Sequence, residues 1–162
     1  MIRDARESDL ESIVRIYNAA IPGRQATADT EPISVESRRA WLREHDPARH
    51  PLWVAERDRR IVGWLSVSAF YGRPAYAATA EVSVYVDPSL PRGGVATALL
   101  QQAIDRAAAL ALRTYVGFIF AHNARSLALF RKFGFEQWAH LPRVAVLDGV
   151  ERDLLILGRR LR

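Results

Sequence analysis

Between residues 79 and 86 apolar and polar side chains alternate without a break. Val82, Val84 and Val86 fall on one face, and Glu81, Ser83 and Tyr85 on the other, which is the period of a strand. Earlier in the chain the period is helical. Leu10, Ile13, Val14 and Tyr17 follow Ser8 and Glu11, a pair with capping-box spacing. This predicts a short first strand over 2–5 and a helix that stops before Pro22-Gly23. Residues 22–33 are polar and turn-rich. Ser34 then caps a second helix, with Trp41 and Leu42 on one side, that ends before Pro47.

Strands are predicted over 52–56 and 61–68, with the charged run Arg57-Asp58-Arg59-Arg60 as a hairpin turn. A loop through Tyr71-Gly72-Arg73-Pro74 leads to the alternating strand. After the next turn, Val95, Leu99, Ala103 and Ala107, flanked by Ala96, Leu100, Ile104 and Ala108, form the stripe of a helix running to about residue 110. Residues 114–120 read as a buried strand. Asn123 caps a helix through Lys132, Gly134 stands just past its end, and 135–139 and 152–157 supply the last strands. The order predicts one α/β (mixed α+β) domain over 1–162, on a largely antiparallel sheet with one parallel crossover.

Composition removes several classes of chemistry. The chain has 162 residues, 49% hydrophobic and 25% charged, and no cysteine. Disulfides, thiolate metal sites and a cysteine nucleophile are excluded. The start MIRDARESDL has no apolar leader segment. No apolar run approaches the ~20 residues of a membrane span. A soluble cytoplasmic protein, with no membrane partner, is expected. The net charge of +5 comes from arginine, Lys132 being the one lysine. The arginines are scattered, so a solvated surface or a patch for a small phosphorylated ligand is expected, and no nucleic acid. The four histidines lack metal-ligand spacing. No metal is expected, and His45 and His50 read as surface residues.

Residues 87–97, DPSLPRGGVAT, join the alternating strand to the longest helix. Two readings are open. One is a strand-to-helix turn that contains glycine. The other is an anion site, in which free N–H groups of the helix start, an approachable glycine backbone and Arg92 hold a phosphate. Neither the P-loop nor the dinucleotide fingerprint fits Gly93-Gly94. Glu81 is open in the same way. It is either a solvent-facing strand position or a base in an apolar setting that lifts its pKa above the ordinary ~4.3.

Pro91-Arg92-Gly93-Gly94-Val95-Ala96 resembles the pyrophosphate loop [QR]-x-x-G-x-[GA] of the GNAT superfamily of N-acetyltransferases. Gly94 and Ala96 match, and Pro91 departs. IRDARESDLESIVRIYNAAI resembles the family's first strand and helix. ADTEP, AEVSVYVD and NARSLALFRKFGFE resemble its phosphinothricin and methionine-sulfoximine N-acetyltransferase subgroup. The resemblance implies a sheet with helices on both faces, splayed after the fourth strand to admit acetyl-CoA. It implies that backbone groups of Val84, Tyr85 and Val86 hold the pantetheine arm, one N–H polarising the thioester carbonyl. Arg92, Gly93, Gly94, Val95, Ala96 and Thr97 would bind pyrophosphate, and Asn123 would add a cofactor contact. Glu81 would be the general base.

Arg73, in a loop like the subgroup's substrate loop, would meet an acid group of the acceptor, and Glu31 would border its pocket. Phe130 stands where many members carry a proton-donating tyrosine. Tyr85 substitutes for it, or the thiolate leaves unprotonated. Asp148 precedes Gly149 where some relatives have histidine. The implied function is transfer of acetyl from acetyl-CoA to the amine of a small amino-acid-like molecule, by direct attack in a ternary complex of a homodimeric enzyme. The alternatives are another amine (a protein N-terminus, polyamine or aminoglycoside) and a non-catalytic module that binds coenzyme A.

Overall fold

A computed structural model describes residues 1–90 and 93–161. Seven strands form one sheet: β1 (Ile2–Asp4), β2 (Leu52–Arg57), β3 (Arg60–Ala69), β4 (Thr79–Val86), β5 (Thr114–Phe120), β6 (Glu136–Leu147) and β7 (Val150–Arg160). Their order across the sheet is β1-β2-β3-β4-β5-β7-β6. Every neighbouring pair is antiparallel except β4 and β5, joined by the crossover helix. The helices are α1 (Leu10–Ala20), α2 (Arg39–Arg43), α3 (Val95–Arg106) and α4 (Ala124–Lys132). The predicted class and single parallel crossover are both present.

Two cores lie on opposite faces of the sheet, because strand side chains alternate. Trp53, Leu65, Val67, Ala80 and Val82 pack with Leu99, Leu100 and Ala103 of α3 and Leu127 and Phe130 of α4. Leu52, Val54 and Trp64 turn the other way, onto Ile13, Ile16 and Tyr17 of α1, with Trp41 and Leu42 of α2 alongside. Helices therefore cover both faces, as the resemblance implied.

Local expectations held where the signal was local. Asp58 and Arg59 both take positive φ, 52° and 62°, in the β2–β3 turn, the geometry a two-residue hairpin needs. Asn123 Oδ1 accepts from the Ser126 N–H at 3.2 Å to start α4. Ser34 Oγ accepts from the Ser37 N–H at 3.2 Å.

The first helix starts differently from its predicted box. The Asp9 carboxylate, not Ser8, accepts from the Arg6 N–H at 2.8 Å, and it is gripped by Arg3 of β1 at 2.7 and 2.9 Å. A partner from another element outweighed the local pair. The last two strands are also longer than predicted. β6 runs past Pro142 through an irregularity between Leu141 and Ala145, with Arg143 at φ 54°. The helix α3 stops at Arg106, short of residue 110, although Leu110 remains buried.

Candidate active site

The β4–β5 pairing lasts three residues on each strand, Thr79–Glu81 against Thr114–Val116. Past Glu81 and Val116 the strands part. β4 goes on pairing with β3 as far as Val86, and β5 with β7 as far as Phe120. One edge of β4 beyond Glu81 is therefore left facing a gap. Gly117 begins the divergence on β5, and a Cβ there would stand 2.6 Å from the Phe130 ring. Only glycine lets α4 pack so close beside the split.

The gap is a recess of about 430 Å³. One wall is β4 from Glu81 to Tyr85, and the other is Phe118, Ile119 and Phe120 of β5. Asn123, Ser126 and Phe130 of the α4 region close one side. Gln25–Ala28 form a strap over it. The strap is tied down at several points. Tyr85 donates its hydroxyl proton to Ala26 O at 3.0 Å, and the Asn123 side-chain amide donates to Gln25 O at 3.2 Å. His122 Nε2 lies 2.7 Å from Arg24 O, and Arg24 is paired at 2.8 Å with Asp148 in the β6–β7 turn.

A smaller recess of about 240 Å³ opens on the α1–α2 side of the sheet, and Glu81 lines both. The other lining residues are Tyr17, Arg38, Trp41, Trp64, Ser66, Ser68, Ser83 and Tyr85. Cross-strand register explains the grouping. Trp64 pairs with Tyr85, Ser66 with Ser83 and Ser68 with Glu81. The alternation that turns Val82 and Val84 toward the α3 core turns this polar and aromatic set toward α1.

Aromatic stacking stiffens the wall. The Trp64 and Tyr85 rings stack at 4.7 Å, and Tyr17 lies 5.1 Å from Tyr85. The Tyr17 hydroxyl bonds Thr27 of the strap and Asp29 just past it. The Arg38 guanidinium lies 5.1 Å from both the Tyr17 and Trp41 ring centres, in cation–π range. It keeps a looser ionic contact with Asp29 at 4.0 Å.

Burial pushes the Glu81 carboxyl above the ordinary carboxylate range. Loss of water disfavours its charged form, so it binds protons more readily than a free glutamate. Burial also pushes the Tyr85 phenol up. Its proton is committed to Ala26 O, which does not suit it to protonate a leaving group. Phe130 lines the larger recess as plain hydrocarbon, edge-on to Phe135 at 4.9 Å.

The glycine segment meets α3 as an uncapped helix start. Gly94 has φ 72°, and its carbonyl accepts the first helical bond, from the Ala98 N–H at 2.9 Å. As a glycine, Gly94 supplies no capping side chain, and among the described residues no side-chain hydrogen bond reaches the first-turn N–H groups. Arg57, from the β2–β3 hairpin, donates to Gly93 O at 3.3 Å. Arg92, expected here, lies outside the described residues with Pro91. The α3 start sits by the Val86 end of β4: a Cβ on Gly63, the β3 partner of Val86, would meet Val95 at 2.8 Å. Asp87 anchors the approach to the turn. It accepts from the Ser89 hydroxyl and N–H at 2.7 and 2.9 Å, from Arg15 at 2.9 Å and from Arg60 at 3.2 Å. These contacts, the Ser89 hydroxyl foremost, bring its pKa down to about 2.

The structure thus brings Glu81, Val84, Tyr85 and Asn123 together at the split, with Val86 and Gly93–Thr97 beyond its open end. Arg73 and Glu31 are exposed and outside both linings. Sequence reading missed Arg38, Trp64, Ser66, Ser68 and Arg57. His45 is also not a free surface residue: it is half-buried, with Nδ1 2.8 Å from Trp41 O and Nε2 2.7 Å from Ser66 Oγ. Alternation of serines in 61–68 was the available signal, masked by the apolar run around it. Among the described residues no helix is long and apolar enough to cross a membrane, and no group of three acidic or histidine side chains is placed to hold a metal.

Comparison with known proteins bears on this arrangement. The model of the acetyltransferase (GNAT) family matches residues 10–135. YwnH of Bacillus subtilis, provisionally named a phosphinothricin acetyltransferase, is 47% identical over 161 residues, covering 99% of this chain and 98% of that protein. An L-methionine sulfoximine/L-methionine sulfone acetyltransferase of Pseudomonas aeruginosa is 32% identical over 157 residues, covering 96% and 91%. Among solved structures, a GNAT superfamily phosphinothricin acetyltransferase from Sinorhizobium meliloti in complex with AcCoA superposes with a TM-score of 0.92 at 29% identity. It covers 99% of this chain and 87% of that one.

Proposed function

The chain belongs to the acetyltransferase (GNAT) family, and from that premise we propose that it moves acetyl from acetyl-CoA to the α-amine of a small amino-acid-like acceptor. Glu81, at the vertex of the strand split and in the lining of both recesses, is the observation that carries this reading. The larger recess suits an extended thioester arm beside the open edge of β4, and the smaller suits the acceptor.

In this reading the diphosphate rests on the N–H groups at the start of α3, from Gly93 to Thr97, with Arg57 and Arg92 as cations. The arm lies along Val86, Tyr85 and Val84, whose main-chain groups pair with its amides. One of those N–H groups polarises the thioester carbonyl. Asn123 borders the arm from α4. The amine enters from the α1–α2 side and attacks the carbonyl carbon directly. Glu81, directly or through one water, takes the proton the nitrogen loses. The sulfur leaves as thiolate, which a thiol pKa near ~8.5 makes accessible without a protein acid.

Arg38 supports an acceptor with an acid end. Arg38 lines the same small recess as Glu81, its guanidinium within cation–π range of two aromatic rings, a setting suited to a carboxylate or phosphinate. We assign the acid-end contact to Arg38 rather than to the exposed Arg73. Phosphinothricin and methionine sulfoximine, the substrates in the relatives' names, are amino acids of this kind. A cytoplasmic location follows from use of acetyl-CoA. A homodimer is consistent with the exposed apolar side chains Trp138, Val144, Val146 and Val150 on the last hairpin.

The test is thiol release from acetyl-CoA across a panel of amino acids, amino-acid analogues, polyamines and peptides. Turnover is expected with free amino acids or their phosphinate and sulfoximine analogues. Turnover with polyamines alone would overturn the acceptor class, and cofactor binding without turnover on any amine would overturn the enzyme reading.

A further inference from the structure

We propose that His45 is a positioning residue for the acceptor amine, acting through Ser66, whose hydroxyl it turns into an acceptor-only group facing the amine. The proposal rests on the acetyl transfer described above and assigns a specificity device to the same recess.

The hydrogen bonds define the polarity. His45 Nδ1 is 2.8 Å from the Trp41 carbonyl oxygen. A carbonyl only accepts, so Nδ1 carries the proton. Burial holds the ring's pKa below its ordinary value, which keeps the imidazole neutral and leaves Nε2 a bare acceptor. Nε2 is 2.7 Å from Ser66 Oγ. Ser66 therefore donates its proton to His45, and its oxygen retains only lone pairs for other partners.

Ser66 is 5% exposed, yet it lines the small recess with Glu81. Ser66 is opposite Ser83, and Ser68 is opposite Glu81. Ser66 and Glu81 are thus diagonal neighbours on one sheet face, ~7–8 Å apart at that spacing, which leaves room for one nitrogen between them.

The chemistry needs such a group. An attacking amine must keep its lone pair for the carbonyl carbon. A serine with a free O–H would donate into that lone pair and quench the nucleophile. A serine whose proton is spent elsewhere can only accept an amine N–H. Ser66 then fixes one N–H, Glu81 receives the proton that departs, and the lone pair is left for the thioester. The same arrangement favours amines over alcohols, because a neutral amine has two N–H groups and an alcohol a single proton to share between Ser66 and Glu81.

Two measurements test this. In ¹⁵N-histidine NMR of the whole protein near neutral pH, His45 should show the neutral Nδ1–H tautomer; an Nε2–H ring would overturn the proposal. In steady-state kinetics, Ser66→Ala and His45→Leu should each lower kcat/KM for the amine about tenfold, the scale of one hydrogen bond to a polar or charged partner. The KM for acetyl-CoA should not move. The double variant should lose no more than either single one, since both remove one device. His45→Gln, whose amide oxygen can accept the same proton, should recover most of the loss. Additive losses, or a His45→Leu protein that is less stable but kinetically intact, would overturn it. If no amine supports thiol release even in the unaltered protein, it is the proposed function that fails, and the tautomer measurement still reads out separately.

Discussion

Glu81 and Val116 are the last facing residues of the parallel β4–β5 pair. Both recesses of the candidate site border that point. Below it the sheet is continuous. Above it the strands separate, and a carboxylate stands where the two recesses meet.

Replacing that carboxylate should separate chemistry from binding. Glu81→Gln is expected to lower kcat by about 10²–10⁴, the usual share of a general base, with acetyl-CoA affinity unchanged by calorimetry. In the unaltered protein the acid limb of kcat/KM should lie above the ordinary glutamate pKa, because burial raises it. The limb should vanish in Glu81→Gln. Stability should move oppositely. A raised folded pKa means stability is lost as pH climbs from the unfolded toward the folded value. The neutral glutamine should therefore melt higher than the parent at neutral pH.

Arg38→Ala should raise the acceptor KM roughly tenfold or more for amino acids, the scale of a lost charged hydrogen bond, and change little for the matching amines that lack an acid group. Arg73→Ala run in parallel should behave as the parent. A reversed pattern would transfer the acid-end contact to the 71–76 loop.

At the glycine turn, Gly94 adopts φ 72° at the helix start. Gly94→Val should cost at least ~1–2 kcal/mol of stability and weaken acetyl-CoA binding by crowding the N–H groups of α3. Arg57→Ala, which removes a guanidinium from the same turn, should weaken binding with little effect on melting temperature. That loss should shrink at high salt. Titration calorimetry at two ionic strengths reads both.

Asp87 predicts an acid-sensitive anchor. Its folded pKa is lowered, to about 2. Its contribution is therefore present above the unfolded value near ~3.9 and fades as pH falls through that interval toward 2. Asp87→Asn should cost ~1–3 kcal/mol at neutral pH, the scale of charged hydrogen bonds left unmade, and flatten the decline in melting temperature below pH 4.

Much of this was legible along the chain. The alternation over 79–86 placed β4 to the residue, and Asn123 and the β2–β3 turn carried their own signals, because each depends on neighbours a few positions away. Other features depend on who arrives from elsewhere. Asp9 caps the entry to α1 because Arg3 of β1 reaches it, so the better-looking Ser8–Glu11 pair went unused. β6 runs past Pro142 through an irregularity in its pairing with β7.

The sequence by itself determined the elements, their order, the carboxylate at residue 81 and the glycine turn before α3, since periodicity and backbone chemistry act over short distances. Only the tertiary structure decided that β4 and β5 part company after three pairs, that Arg38 enters the same recess as Glu81, and that His45 bonds Ser66 across 21 residues. Those meetings are set by strand register and by the packing of α2 on the sheet. A shift of one residue along β3 would turn Ser66 to the opposite face, and nothing in its immediate neighbours marks which face that is.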